Sequence, residues 1–388
     1  MLALGVSAAC AANRPSPPAG ADKPAALTAI PRVPAHHVDV DGEGAFLYEI
    51  ALANPTPDPV TIVSVAQRAS GHEVTGAPGG ALAEVLKASL DVDLAAARDI
   101  DVDLKASKQR RGKSAVLAPG QGSVYYGWLP APTTARDLGV TIHSESAGQA
   151  RRLEVALAVD AREPLLLAPP LRGTGWITFV GPAPAGGHRT ALMNLGGKHY
   201  LAQRYALDFG KVDAEGRLLR KGGVSTNNAD YAAYGERVYA VANGTIVGVH
   251  DGIADNHGTT RNPDVANTID TILGNYVMLR VSSSSAYVVY AHLRRGSVRV
   301  AAGQTVKQGE LVGEVGNSGH AGGPHLHMHV CDAASDLRCE GLPFVFESYE
   351  ARTYEPVGDS IETARFQGSS TVVRRQRQLP AAERMLAF

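Results

Sequence analysis

The stretch GNSGHAGGPHLHMHV, residues 316–330, decides how the rest of the chain is read. Its first half is glycine-rich and runs into Pro324, the composition of a turn. Its second half alternates, with His325, His327 and His329 separated by Leu326 and Met328. Alternate side chains of a strand share a face, so the three imidazoles project together from one side of a sheet. One histidine so placed is usually structural. Three in register behind a glycine-rich turn are hard to explain as packing, and neutral imidazole is both a common zinc ligand and a base near neutral pH.

Two further segments carry matching chemistry. YALDFG (205–210) sets Asp208 at the end of a short strand, and VVYAHL (288–293) sets His292 at the end of another. Strands are also expected in RVYAVANGTIVGVHDG (237–252), in NYVMLRVSS (275–283) and between Ser297 and Val315, each closed by Gly or Asn. The preceding half reads as β structure too. FLYEIALANPTPDPVTIVSVAQ (46–67) places apolar residues on both sides of a proline-rich turn. SVYYGWLPAP (123–132) follows, and then a hairpin centred on Ser146-Ala147-Gly148. A helix is expected within residues 81–104. Regular short strands with turn signals suggest a β-sandwich of immunoglobulin-like type, although no Cys–Trp–Cys signature accompanies it.

The expected division is therefore an export-signal remnant and proline-rich linker over residues 1–37, a β-sandwich over 38–165, a second β domain over 166–350 and a tail over 351–388. The tail includes VVRRQRQ, read as a solvated surface or flexible end, and His36-His37 are assigned to the linker region. The start, MLALGVSAACAA, is apolar and too short to span a bilayer. It reads as a shortened secretory signal with Cys10 as a lipid-anchor or cleavage site, which makes the protein an exported one of the periplasm or cell envelope. Cys331 and Cys339 lie close together in VCDAASDLRCEG and suit one disulfide in such a compartment. A net charge of -1, with no basic stripe interleaved with aromatics, argues against nucleic acid as a partner.

Taken in order, NGTIVGV, YAHL, GSVRVAAGQTVKQGELVGEVGNSG and GPHLH resemble the motifs of the lysostaphin-type (LytM-like) zinc endopeptidases of bacterial cell walls, over roughly residues 200–347. The resemblance implies an antiparallel β-sheet with a groove, a zinc ion and cleavage of peptides in peptidoglycan. By matching position, Asp208 and His327 are the implied zinc ligands. His292 and His325 are implied to flank the attacking water, positioning or deprotonating it and stabilising the oxyanion.

One departure matters. The family pattern has a histidine four residues before the aspartate, and here that position is Arg204. A guanidinium has no lone pair to offer a metal. Three readings follow. His188, in GGHRTAL, folds over as the third ligand; or the metal is bound weakly or not at all, and the domain is a silent relative that binds wall or regulates a hydrolase; or Arg204 grips a substrate carboxylate. A carrier-hairpin reading of GQTVKQGELVGEVG lacks the exposed lysine such hairpins need. His329 is expected to line the groove or pair with a neighbour. His250 and His257 are expected in solvent, His199 on the opposite face from the site, and His320 outside it.

Overall fold

The computed structural model describes residues 27–74, 86–87, 115–184 and 186–388. Strands dominate, as the alternation and turn chemistry require. The N-terminal part is a sandwich of two sheets. Glu43–Ala53 is central in the first, between Ala35–Val40 and Gly122–Pro130; Val60–Ala69, Leu138–Ser146 and Gln149–Leu157 build the second. Phe46, Tyr48, Ile50, Ile62, Leu129, Val140 and Ile142 fill the space between them. The hairpin expected around Ala147 is present, with Gln149 opposite Ser146.

The Glu43–Ala53 strand is buried on both faces. Its even positions face the other sheet of the sandwich. Its odd positions, Ala45 and Leu47, join the core of the second domain together with Val38, Val40 and Trp128. Burying alternate residues on opposite sides demands an apolar residue at every position, which is why FLYEIAL reads as an unbroken apolar run save for Glu49. The two domains thus share a continuous core rather than meeting at a linker.

The second domain is organised on one long mixed sheet. Its centre runs Leu207–Lys211, Leu326–Cys331, Tyr287–Leu293, Asn275–Val281, Gly244–His250. The pairings within this run are antiparallel. Trp176–Val180 continues it on the far side of Leu207–Lys211.

Several expectations are corrected. The sandwich begins before residue 38: Thr28–Pro31 and Ala35–Val40 are already strands, so His36 and His37 belong to the fold and not to a linker. Within the segment expected to hold a helix, Leu86–Lys87 pair as a strand with Gly122–Pro130; its other residues, and the export signal with Cys10, lie outside the described residues. Residues 351–388 are not a separate tail. Phe344–Val357 pairs with Leu165–Leu167 and with three later strands, Arg365–Gly368, Val373–Gln378 and Arg384–Ala387. Burial of Leu379, Met385 and Leu386 pulls this segment onto the sheet. Of its arginines, Arg375 and Arg384 clasp Asp41 of the sandwich.

Cys331 and Cys339 form a disulfide closing the loop that follows the Leu326–Cys331 strand. Loop-closure entropy for eight residues of separation amounts to about 2.5 kcal/mol. Cys339→Ser should therefore lower the unfolding free energy by no more than about 3 kcal/mol, read from chemical denaturation, and the non-reduced digest of the native protein should contain the linked peptides. Two freely alkylated thiols would refute the bond.

His36 shows what burial does to a base. Removal from water, and next the positive charge of Arg204, push its pKa down to about 4, against the opposing carboxylate of Asp160 at 3.2 Å; Arg162 and Glu49 add smaller effects of opposite sign. The unfolded chain takes up a proton near pH 6.5 and the folded chain does not. Stability is thus complete above pH 6.5 and declines as pH falls toward 4, by about 1.4 kcal/mol per unit at most. In denaturation series at pH 7 and pH 4.5, His36→Gln should lose less stability than the parent protein. Parallel losses in both would show that His36 does not contribute.

Candidate metal centre

Register brings the predicted residues together. Asp208 lies directly opposite His327 across the Leu207–Lys211 and Leu326–Cys331 pair, and His327 in turn lies opposite Ala291, next to His292. His188 arrives from outside the sheet, in the short 3-10 turn His188–Thr190. Its Nε2 is 2.8 Å from Asp208 Oδ2, while His327 Nδ1 is 2.8 Å from Asp208 Oδ1. One ligand atom from each of these three residues lies within 4.8 Å of the other two. Two imidazoles and a carboxylate, converging and mostly buried, are a donor set that suits zinc with a coordination position left open.

The remaining histidines surround this group. His292 Nδ1–H donates to Ser318 O at 2.8 Å, and His325 Nδ1–H donates to Gly323 O at 2.8 Å. Each ring thereby has its tautomer set, with Nε2 left for the site. His325 Nε2 stands 3.6 Å from Asp208 Oδ1, and the His292 and His325 ring centroids are 4.9 Å apart. His292 adopts φ 61°, in the left-handed region. That conformation is unfavourable by about 1–2 kcal/mol for a residue with a Cβ and turns the side chain out of the strand's alternation. His329 is fully buried, and its Nδ1 lies 2.9 Å from His327 Nε2. When His327 Nδ1 offers its lone pair, its Nε2–H donates to His329 Nδ1. The expected pairing of His329 is therefore with His327, whose tautomer and ring angle it fixes.

Electrostatics separates the rings. Burial pushes the His292 pKa well down, and its histidine neighbours push it further. Burial also opposes a proton on His325, but the Asp208 carboxylate outweighs that and raises its pKa. For Asp208 itself, desolvation favours the neutral acid, yet His188 and His325 hold the pKa well below the usual carboxylate range.

A cavity of about 280 Å³ opens onto Asp208 and His325; Phe179, Tyr231 and Ile361 give it apolar walls, with Lys211 at its edge. His250, His257 and His199 are exposed, and His320 pairs with Asn267 rather than with the site.

Arg204 does not face substrate. It is 1% exposed. Its guanidinium is bonded to both oxygens of Glu49, to Glu340 Oε2 at 2.5 Å and to Gly341 O at 2.7 Å. The reading in which it grips a substrate carboxylate is overturned, because the side chain is buried and each of its three nitrogens is already engaged by the protein. Glu49 also binds Arg189, the residue after His188. Reading the sequence missed Glu49. The available signal was a carboxylate inside the otherwise apolar run FLYEIAL, which in a doubly buried strand demands cationic partners.

Residues 225–338 match the model of peptidase family M23, a span holding His292, His325 and His327, with His188 and Asp208 before it. Over 55 residues the chain is 46% identical to the peptidoglycan DD-endopeptidase ShyC of Vibrio cholerae, covering 14% of this chain and 12% of that protein. Over 54 residues it is 50% identical to an uncharacterized metalloprotease of Haemophilus influenzae, covering 14% and 11%. The chain thus spans about an eighth of the length of the curated relatives it matches. Among solved structures, the catalytic domain of lysostaphin from Staphylococcus simulans aligns at 18% identity over 43% of this chain and 88% of its own, with a TM-score of 0.23. A zinc containing peptidase from Vibrio cholerae aligns at 12% identity over 78% and 81%, with a TM-score of 0.21.

Proposed function

We propose, from the match of residues 225–338 to the model of peptidase family M23, that this chain is a zinc-dependent endopeptidase, exported to the cell envelope, that cleaves peptide bonds in bacterial peptidoglycan. The observation that carries the reading is the convergence of His188, Asp208 and His327 within 4.8 Å of one another, with His292 and His325 beside them. In this reading His188, Asp208 and His327 hold the ion. Zinc, when bound, lowers the pKa of water to about 7 and polarises the scissile carbonyl. His292, kept neutral by burial and with Nδ1–H fixed on Ser318 O, accepts a proton at Nε2. His325, with Nδ1–H fixed on Gly323 O and Nε2 turned toward the site, is placed in its protonated form to donate Nε2–H to the oxygen on which negative charge develops. The cavity walled by Phe179, Tyr231 and Ile361 takes the peptide.

The reading of a silent wall-binding or regulatory relative rested on Arg204. Its guanidinium is occupied by Glu49 and Glu340, and His188 stands beside Asp208, which supports the reading that His188 takes the ligand place left by Arg204. Elemental analysis of the purified protein should give about one zinc per chain, and incubation with purified peptidoglycan should release peptide fragments that a chelator suppresses. Stoichiometric zinc without released fragments would leave the silent reading standing; negligible zinc would remove the metal centre altogether.

A further inference from the structure

His188 is the one proposed ligand that no strand positions. It rides on a single 3-10 turn, and the glycines before it give the backbone little stiffness. The next residue is what anchors that turn. Arg189 is 1% exposed. Its guanidinium binds the Glu49 carboxylate and donates to Tyr48 O at 3.0 Å and to Gly127 O at 3.1 Å. All three partners belong to the N-terminal sandwich. The same sandwich secures the rest of the segment: Tyr126 Oη donates to Thr190 O at 3.3 Å, and Leu192 and Leu201 pack with Val124 and Tyr126 in a small apolar cluster. Glu49 reaches further, since it also receives Arg204, four residues before Asp208. One buried carboxylate of the sandwich therefore ties down both the turn that presents His188 and the entry to the strand that presents Asp208.

We propose that the N-terminal sandwich is a structural part of the metal centre, with Arg189, clamped by Glu49 and the Tyr48 and Gly127 carbonyls, as the positioning residue that sets His188 against Asp208. This rests on His188 being a ligand. A histidine on an untethered turn must be ordered at the moment of binding, and that ordering weakens the site. Arg189 instead has its place fixed by three groups of a folded domain before any metal arrives. The sandwich thus acts on the centre through the chain, as a mount for one ligand.

The test uses the full-length protein and zinc alone, with affinity read by competition against a chelator and the ligand field read from the visible spectrum of the cobalt-substituted protein. Arg189→Met should lower zinc affinity by about 10–100-fold, the usual effect of losing a group that orients a ligand, and should shift the cobalt spectrum toward that of His188→Ala. Adding Arg189→Met to His188→Ala should cause little further loss, because both remove the same interaction. Ile62→Ala, which weakens the sandwich core away from the turn, should keep parental affinity and spectrum. Arg189→Lys retains the charge facing Glu49 but cannot span both carbonyls; it should show a smaller loss in the same direction, and it serves as the reading if Arg189→Met does not fold. Parental affinity in the folded Arg189 variants, with His188→Ala impaired, would overturn the positioning role and leave the proposed function intact. Parental affinity in His188→Ala would instead remove His188 from the metal centre and the positioning role with it.

Discussion

Replacing Glu49 by alanine should lower the unfolding free energy by about 3–5 kcal/mol, the cost of leaving buried charges without their counter-ion. Glu49 is wholly buried, and so are the guanidinium groups of Arg189 and Arg204 that converge on it. Burial alone would favour the protonated acid, but Arg204 and Arg189 outweigh it and draw the carboxyl pKa down to about 2. With the carboxylate gone, Arg204 keeps Glu340 and Gly341 O, whereas Arg189 keeps only two carbonyls. The effect is to be read from guanidinium denaturation at pH 7. Because the folded pKa lies below the ordinary value, the pair's contribution is complete above about pH 4.3 and is lost as pH falls toward 2. The difference between parent and variant should therefore narrow in acid. A loss below about 1 kcal/mol at pH 7 would mean that the network behaves as a surface ion pair.

His292→Ala should reduce turnover on peptidoglycan by about 10²–10⁴-fold, the range for removing a general base, with zinc content unchanged. His327→Ala should lose both, because it takes away a proposed ligand. The contrast follows from geometry: His327 Nδ1 is 2.8 Å from Asp208, whereas the His292 ring is turned on Ser318 O and stands 5.7 Å, centroid to centroid, from His327. Zinc loss on His292→Ala would make that residue a ligand, and unaltered turnover would remove it from the chemistry.

What the sequence determined by itself was everything local and periodic. Alternation in HLHMH put His325, His327 and His329 on one face, and the short spacing of two cysteines foretold a disulfide that joins Cys331 to Cys339. The apolar period and turn residues sufficed for a β protein, because side-chain alternation and turn chemistry act over a few residues. Arg204 could be recognised as unable to bind a metal from its functional group alone. What it does instead depends on Glu49, which lies 155 residues away in sequence, and on Glu340. No local pattern encodes such a meeting. The same holds for His188, whose approach to Asp208 is fixed by where the sandwich holds Arg189. The tail was misjudged for a related reason: VVRRQRQ is largely solvated, as its composition indicates, but it is held in the sheet by the backbone partners that Phe344–Val357 supplies and by Asp41, which takes up Arg375. Contacts between segments distant along the chain are decided by which buried surfaces and charges find each other on folding, and only the tertiary structure records that.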